Sequence, residues 1–252
     1  MENPPEARPG PGWNYRDVAA VTALAVFGQV FLVSLFSLLA ILLVDSSGQG
    51  WLRTTKDLMN RAAFVLPLQL AWWALVFWMV YRIVRARDER PFRQAIGWTR
   101  PRLPLGVYTV AGIALALSVT GLAWLLPLPR HKLPIEQLLL DPSSAFLMAG
   151  FGILVAPLIE ELLFRGFLYP VVAHAHGAAA AVGITAVVFS ILHAPQYGWA
   201  WQNVALLAYV GVVFGAVRAV SGSLVPSTLL HAAYNFTLFA GLYVSTNRFQ
   251  DF

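Results

Sequence analysis
Between Pro142 and Phe252 only six residues are formally charged, and three of them, Glu160, Glu161 and Arg165, fall within six consecutive positions of an apolar stretch. An acid at bilayer depth costs about 2.5–3.5 kcal/mol on insertion scales, so such residues face a polar interior or a functional site. On a helix Glu161 and Arg165 are four apart and can pair. Glu160 points about 100° away from Glu161 and is left without that partner. Pro157 removes a helical donor just before the acids and loosens the helix there. Downstream, His193 ends the stretch Phe189-Ser190-Ile191-Leu192-His193. His231 and Asn235 share one helix face by their spacing of four. A glutamate in a partly dry cavity can act as general base toward water. A neutral histidine can share that water, and a second histidine with an asparagine amide can donate to the oxyanion of a tetrahedral intermediate. The same Glu160, His193 and His231 could instead hold one divalent metal, zinc being the candidate, with a water position left open. Either route is hydrolysis of an amide by activated water. No H-E-x-x-H pair is present on one helix, which sets a zincin aside.

The elements that must position these residues are membrane helices. Of 252 residues, 58% are hydrophobic and 12% charged, against roughly 25% charged in a soluble domain. Mean hydropathy is +0.66. That composition excludes disordered, coiled-coil and nucleic-acid-binding classes despite a pI of 9.8. With no cysteine there is no disulfide framework, thiol nucleophile or Cys-ligated zinc. The expected class is an all-α polytopic transmembrane bundle of about seven spans, six to eight depending on how Gly166–Gly177 is divided. The runs are Val18–Val44, Ala62–Tyr81, Leu105–Leu126, Ser143 onward, Gly177–Leu192, Trp201–Val217 and Ser223–Asn247. Residues 1–17, polar and rich in Pro and Gly, read as a disordered cytoplasmic tail, and 18–252 as a single transmembrane domain. Gly211-x-x-x-Gly215 reads as a small-residue packing face.

Depth follows from counting. With a reversal at His176-Gly177, Glu160 lies 17 residues before Gly177 and His193 lies 16 after it. At 1.5 Å per residue both are about 24–26 Å from the turn, level in an antiparallel hairpin. His231 is about 12 Å beyond its own turn near Ser223, a looser match that a displaced or tilted helix must make up. His174 and His176 fall at the reversal and His131 in a charged loop; none is assigned chemistry. Seven arginines between Arg82 and Arg102 stand against Asp88 and Glu89. By the positive-inside rule this loop, and with it the N-terminus, is cytoplasmic. The arginines are read as that topology signal ahead of a lipid- or substrate-docking surface. Trp51, Trp98, Trp199 and Trp201 lie near span ends, where interfacial belts form.

Glu160-Glu161-x-x-x-Arg165, Phe189-x-x-x-His193 and His231-x-x-x-Asn235 together resemble, in order, the three motifs of the CAAX protease and bacteriocin-processing family of intramembrane endopeptidases. The resemblance covers a core at residues 143–244. It implies that Glu160 and His193 activate water, that His231 and Asn235 stabilise the oxyanion, and that Glu161 and Arg165 shape the site. It implies a membrane-associated peptide or protein as substrate, the bilayer as surroundings and no nucleic acid, with either no cofactor or one divalent metal. Fifteen arginines against two lysines suggest a GC-rich bacterial genome and an inner-membrane location. Prenylated substrates would then be absent, leaving peptide maturation, immunity or envelope regulation. Two other classes fit parts of the pattern. A proton-coupled transporter or channel would show repeat symmetry, which is not evident. A non-catalytic scaffold of the same fold would tolerate loss of Glu160.

Overall fold
The structure is a computed structural model describing residues 10–44, 61–127, 134–139 and 141–250. Every regular element among the described residues is helical. Helix α1 is Tyr15–Val44 and α2 is Ala62–Arg87, followed by a short α3 at Phe92–Ala95 and by α4 at Leu105–Leu125. Then come α5, Pro142–Leu154, and a six-residue α6, Ala156–Glu161, which runs into a π-helical turn at Leu162–Leu168. Helix α7 is Tyr169–His193, α8 Trp201–Ser221 and α9 Leu224–Ser245. Among the described residues five segments are long and apolar enough to cross a bilayer. One of them, Pro142–Tyr197, is 56 residues long, enough for two crossings. Gly177, at φ 83° and ψ 165°, breaks it with a conformation that glycine adopts without steric cost. Glu160 and His193 touch across that break, although 33 residues of straight helix would separate them by about 50 Å. Helix α9, with His231 and Asn235, brings the long helical rods to the expected seven; its polar residues keep it out of the five. The protein is an integral membrane protein, an all-helical polytopic bundle.

Residues 10–17 depart from the expectation of a disordered tail. Trp13 is 2% exposed, stacks on Phe167 at 5.5 Å, and donates its indole N–H to the Phe167 carbonyl at 2.9 Å. Gly12 N–H donates to Asp88, which also accepts three hydrogen bonds from Arg90, and Arg90 holds the Asp88 carboxyl down at about 2. Composition marked this segment as polar and flexible, but one large aromatic with a docking groove outweighs that local signal. Trp51 and His131 lie outside the described residues.

The helix crossings follow from small side chains. A Cβ on Gly211 would stand 2.9 Å from the Ala186 backbone, so the glycine lets α8 lie directly against the second half of α7. Gly97 does a different job in the turn after α3. At φ +79° it accepts a hydrogen bond from Leu224 N–H at 2.7 Å, fixing the start of α9, and a Cβ there would meet Arg218 Nη2 at 2.5 Å. Gly97→Ala is therefore expected to cost about 1–2 kcal/mol for the left-handed backbone alone, with displacement of the buried Arg218 added. A lowered melting temperature in detergent checks this, and an unchanged one would show that neither the backbone nor Arg218 resists the methyl group.

Candidate active site
The local sequence around the acids breaks the helix twice. Val155 and Pro157 end α5 and restart the chain as α6. At that interruption the Gly152 carbonyl accepts the Asn235 side-chain amide at 2.6 Å, tying α9 to the break. The second disruption is the π turn. Tyr169 N–H bonds the Phe164 carbonyl five residues back, and Pro170 has no N–H to give. The Arg165 carbonyl is thus left without a donor in its own helix, and Arg218 Nε supplies one at 3.2 Å. Trp13 serves the Phe167 carbonyl of the same turn. Single π turns inside α-helices recur at functional sites, because the widened turn re-aims the side chains on it.

Glu161 and Arg165 form a fully buried pair, both side chains 0% exposed, with Arg165 Nη1 donating to Glu161 Oε1 at 2.9 Å. Arg165 Nη2 donates to the Gly211 carbonyl at 2.9 Å. The guanidinium is boxed by the rings of Phe164, Phe189 and Phe214 at 5.1–5.7 Å, within cation–π range. Glu161 Oε1 also lies 3.3 Å from His231 Nδ1. The buried carboxylate therefore serves two partners, the arginine and the histidine.

Glu160 faces the other way. Its Oε2 stands 3.6 Å from His193 Nε2 and 3.8 Å from His231 Nε2. Glu160 and His193 are partly open, at 21% and 17% side-chain exposure, while His231 is buried. His193 Nδ1 is 2.8 Å from the Phe189 carbonyl one turn back. A carbonyl and a carboxylate can only accept, so each assigns the proton to Nδ1 of its histidine. In their neutral forms both imidazoles then present bare Nε2 lone pairs toward Glu160. Three acceptors aimed at one point cannot satisfy each other; they call for a donor of two protons, which is what water is, or for a cation. Each ring is held by an aromatic face, His193 on Phe189 and His231 on Phe214, both at 4.4 Å.

Glu160, His193, His231 and Asn235 all line one cavity of about 590 Å³. Its other walls are mostly apolar, among them Met148, Phe151, Leu207 and Phe239. Tyr197 also lines it and was not singled out from the sequence; its spacing of four from His193 was the available signal. Arg218 and Trp13, which support the π turn, were missed too, because neither carries a motif. Asn235 is more constrained than expected: with one amide proton on Gly152, a single N–H is left for the cavity.

The donor types suit zinc, and their spacing as they stand is a few tenths of an ångström wider than its ligands take. Bonds of about 2.0–2.1 Å in a tetrahedral site put neighbouring ligand atoms roughly 3.4 Å apart, closer than the 3.6 and 3.8 Å found. Among the described residues no three of His, Cys, Asp and Glu stand where they would hold a metal. A zinc-bound histidine needs an acceptor on its second ring nitrogen, and the Phe189 carbonyl and Glu161 supply both.

Fold and cavity define a class: a helical membrane protein with a buried acid–histidine cluster opening into an apolar chamber. Comparison with known families gives that class its relatives. Residues 142–237 match the family model described as type II CAAX prenyl endopeptidase Rce1-like, which bears out the resemblance read from the three motifs. The matched segment is similar to that family of endopeptidases, and protease activity is what the similarity implies. No curated protein and no solved structure matches the chain.

Proposed function
We propose that this protein is an intramembrane endopeptidase that hydrolyses a peptide bond of a membrane-associated protein or peptide. The observation that carries the reading is the convergence of Glu160 Oε2 with two bare imidazole nitrogens at 3.6 and 3.8 Å in a chamber with apolar walls. A water at that point has one proton drawn by Glu160 and the other held by His193 Nε2. As its oxygen attacks the peptide carbonyl carbon, Glu160 takes the first proton, and the carbonyl π electrons move onto the oxygen. That oxyanion faces Asn235, whose remaining amide proton donates to it. His231, whose ring the Glu161 carboxylate orients through Nδ1, flanks the same point. Collapse of the intermediate breaks the C–N bond, and the leaving amine takes the proton from Glu160. No step runs through a metal. Should a divalent ion bind, Glu160, His193 and His231 would be its holders, and it would supply a water of lowered pKa.

The apolar chamber favours a hydrophobic peptide presented within the bilayer. The arginine excess between Arg82 and Arg102 supports a cytoplasmic side for that loop and the N-terminus, and fifteen arginines against two lysines support a bacterial inner membrane. The test is cleavage of single-span peptides by the full chain in liposomes, with mass spectrometry of the products. Time-dependent internal cleavage that survives chelation and metal-free dialysis is the expected result. Activity lost on chelation and restored by stoichiometric zinc would overturn the metal-free route. Absence of cleavage over a broad library of membrane peptides would leave a scaffold.

A further inference from the structure
A second cavity, of about 550 Å³, opens on the other face of the helix that carries the acids. Ala156 and Glu160, four apart, look into the first chamber, whereas Leu158, Ile159 and Leu162 line the second. The opposite wall is Phe77, Tyr81, Phe92 and Trp98, and one cation, Arg93, completes it. Phe77, Tyr81 and Leu158 are well exposed at 46%, 39% and 47%, so the groove opens sideways, toward lipid. Arg93 follows the end of α2 in the loop between spans, the depth of the headgroups, and Trp98 and Tyr81 are the amphipathic rings found at that level. Arg93 is exposed and forms no ion pair among the described residues, and Asp88, an acid of the same loop, is claimed by Arg90. An apolar trough ending in a free cation at headgroup depth complements one ligand chemistry, a hydrocarbon chain bearing an anion.

We propose that this groove is a binding site for an anionic phospholipid, with an acyl chain along Leu158, Leu162 and Phe77 and the phosphate on Arg93. The general arginine excess sets topology; Arg93 differs in standing at the rim of an apolar trough. A lipid seated there packs against the turn that holds Glu160 and Glu161, and so braces the acid-bearing helix from behind. The proposal needs only the membrane fold and stands apart from the peptidase reading.

The test uses the full chain, delipidated in neutral detergent and exposed to equal amounts of phosphatidylglycerol and phosphatidylcholine, with retained lipid read by native mass spectrometry. The wild type should retain phosphatidylglycerol about fivefold over phosphatidylcholine, the factor one cation carries beside an anionic lipid. Arg93→Gln should equalise the two lipids, Arg93→Lys should restore the preference, and Arg102→Gln, outside the groove, should keep it. Leu158→Trp, which fills the trough, should lower retention of both lipids. Melting temperatures establish that each variant is folded. Equal retention by the wild type, a preference that survives Arg93→Gln, or undiminished retention by Leu158→Trp would each overturn the site.

Discussion

Glu160→Gln is expected to lower peptide cleavage by about 10²–10⁴-fold, the range general-base catalysis supplies, while leaving the fold and substrate binding intact. The amide keeps the shape of the carboxylate but cannot take a proton from water. Glu160, unlike Glu161, makes no contact in the cluster shorter than 3.6 Å. Its contacts at 3.6 and 3.8 Å are too long for direct hydrogen bonds, so little packing is lost with its charge. The check is a paired measurement: turnover of a membrane peptide, and affinity for the same peptide with its scissile bond blocked. Loss of turnover with unchanged affinity and melting temperature supports the base. Residual activity near that of the wild type would remove Glu160 from the chemistry.

Glu161→Gln should behave differently, although the two acids are neighbours in sequence. It leaves Arg165, 0% exposed, with one carbonyl and three ring faces as its nearest compensation and the Glu160 charge farther off. Breaking a buried pair by removing one partner costs about 3–5 kcal/mol, because the remaining charge is stranded. A large fall in melting temperature is therefore expected, together with loss of activity. The double variant Glu161→Gln/Arg165→Met removes the stranded charge and should recover much of the stability. It should remain inactive, since His231 loses the carboxylate that holds its Nδ1 proton. If Glu161→Gln melts like the parent yet is inactive, Glu161 has a direct part in the chemistry instead.

The outcome at these two acids shows what a linear sequence can convey. That Glu161 pairs with Arg165 and Glu160 does not was legible from a helical period of 3.6 residues, which fixes direction without knowledge of the rest of the chain. The levelling of Glu160 with His193 was legible for the same reason, since rise per residue is constant and Gly177 marks the reversal. The π turn was less accessible, although Pro170 withholds the donor that leaves the Arg165 carbonyl to Arg218. Whether a helix answers a missing donor by kinking, fraying or widening depends on what packs beside it.

By itself, then, the sequence determined the medium, the helical class, the hairpin that carries the acids and the identity of the polar residues in apolar surroundings. These follow from composition, periodicity and the cost of burying charge, which are local or additive properties. Only the tertiary structure decided the partners. It gave Glu161 to His231 as well as to Arg165, and the Phe189 carbonyl to His193. It spent one proton of Asn235 on Gly152, and it seated Trp13, expected in a loose tail, beneath the π turn. Each of these is a contact between segments whose approach depends on helix crossings, and a crossing is set by the small residues and ring faces of two helices at once. A pattern read along one strand of chain contains half of that information at each position.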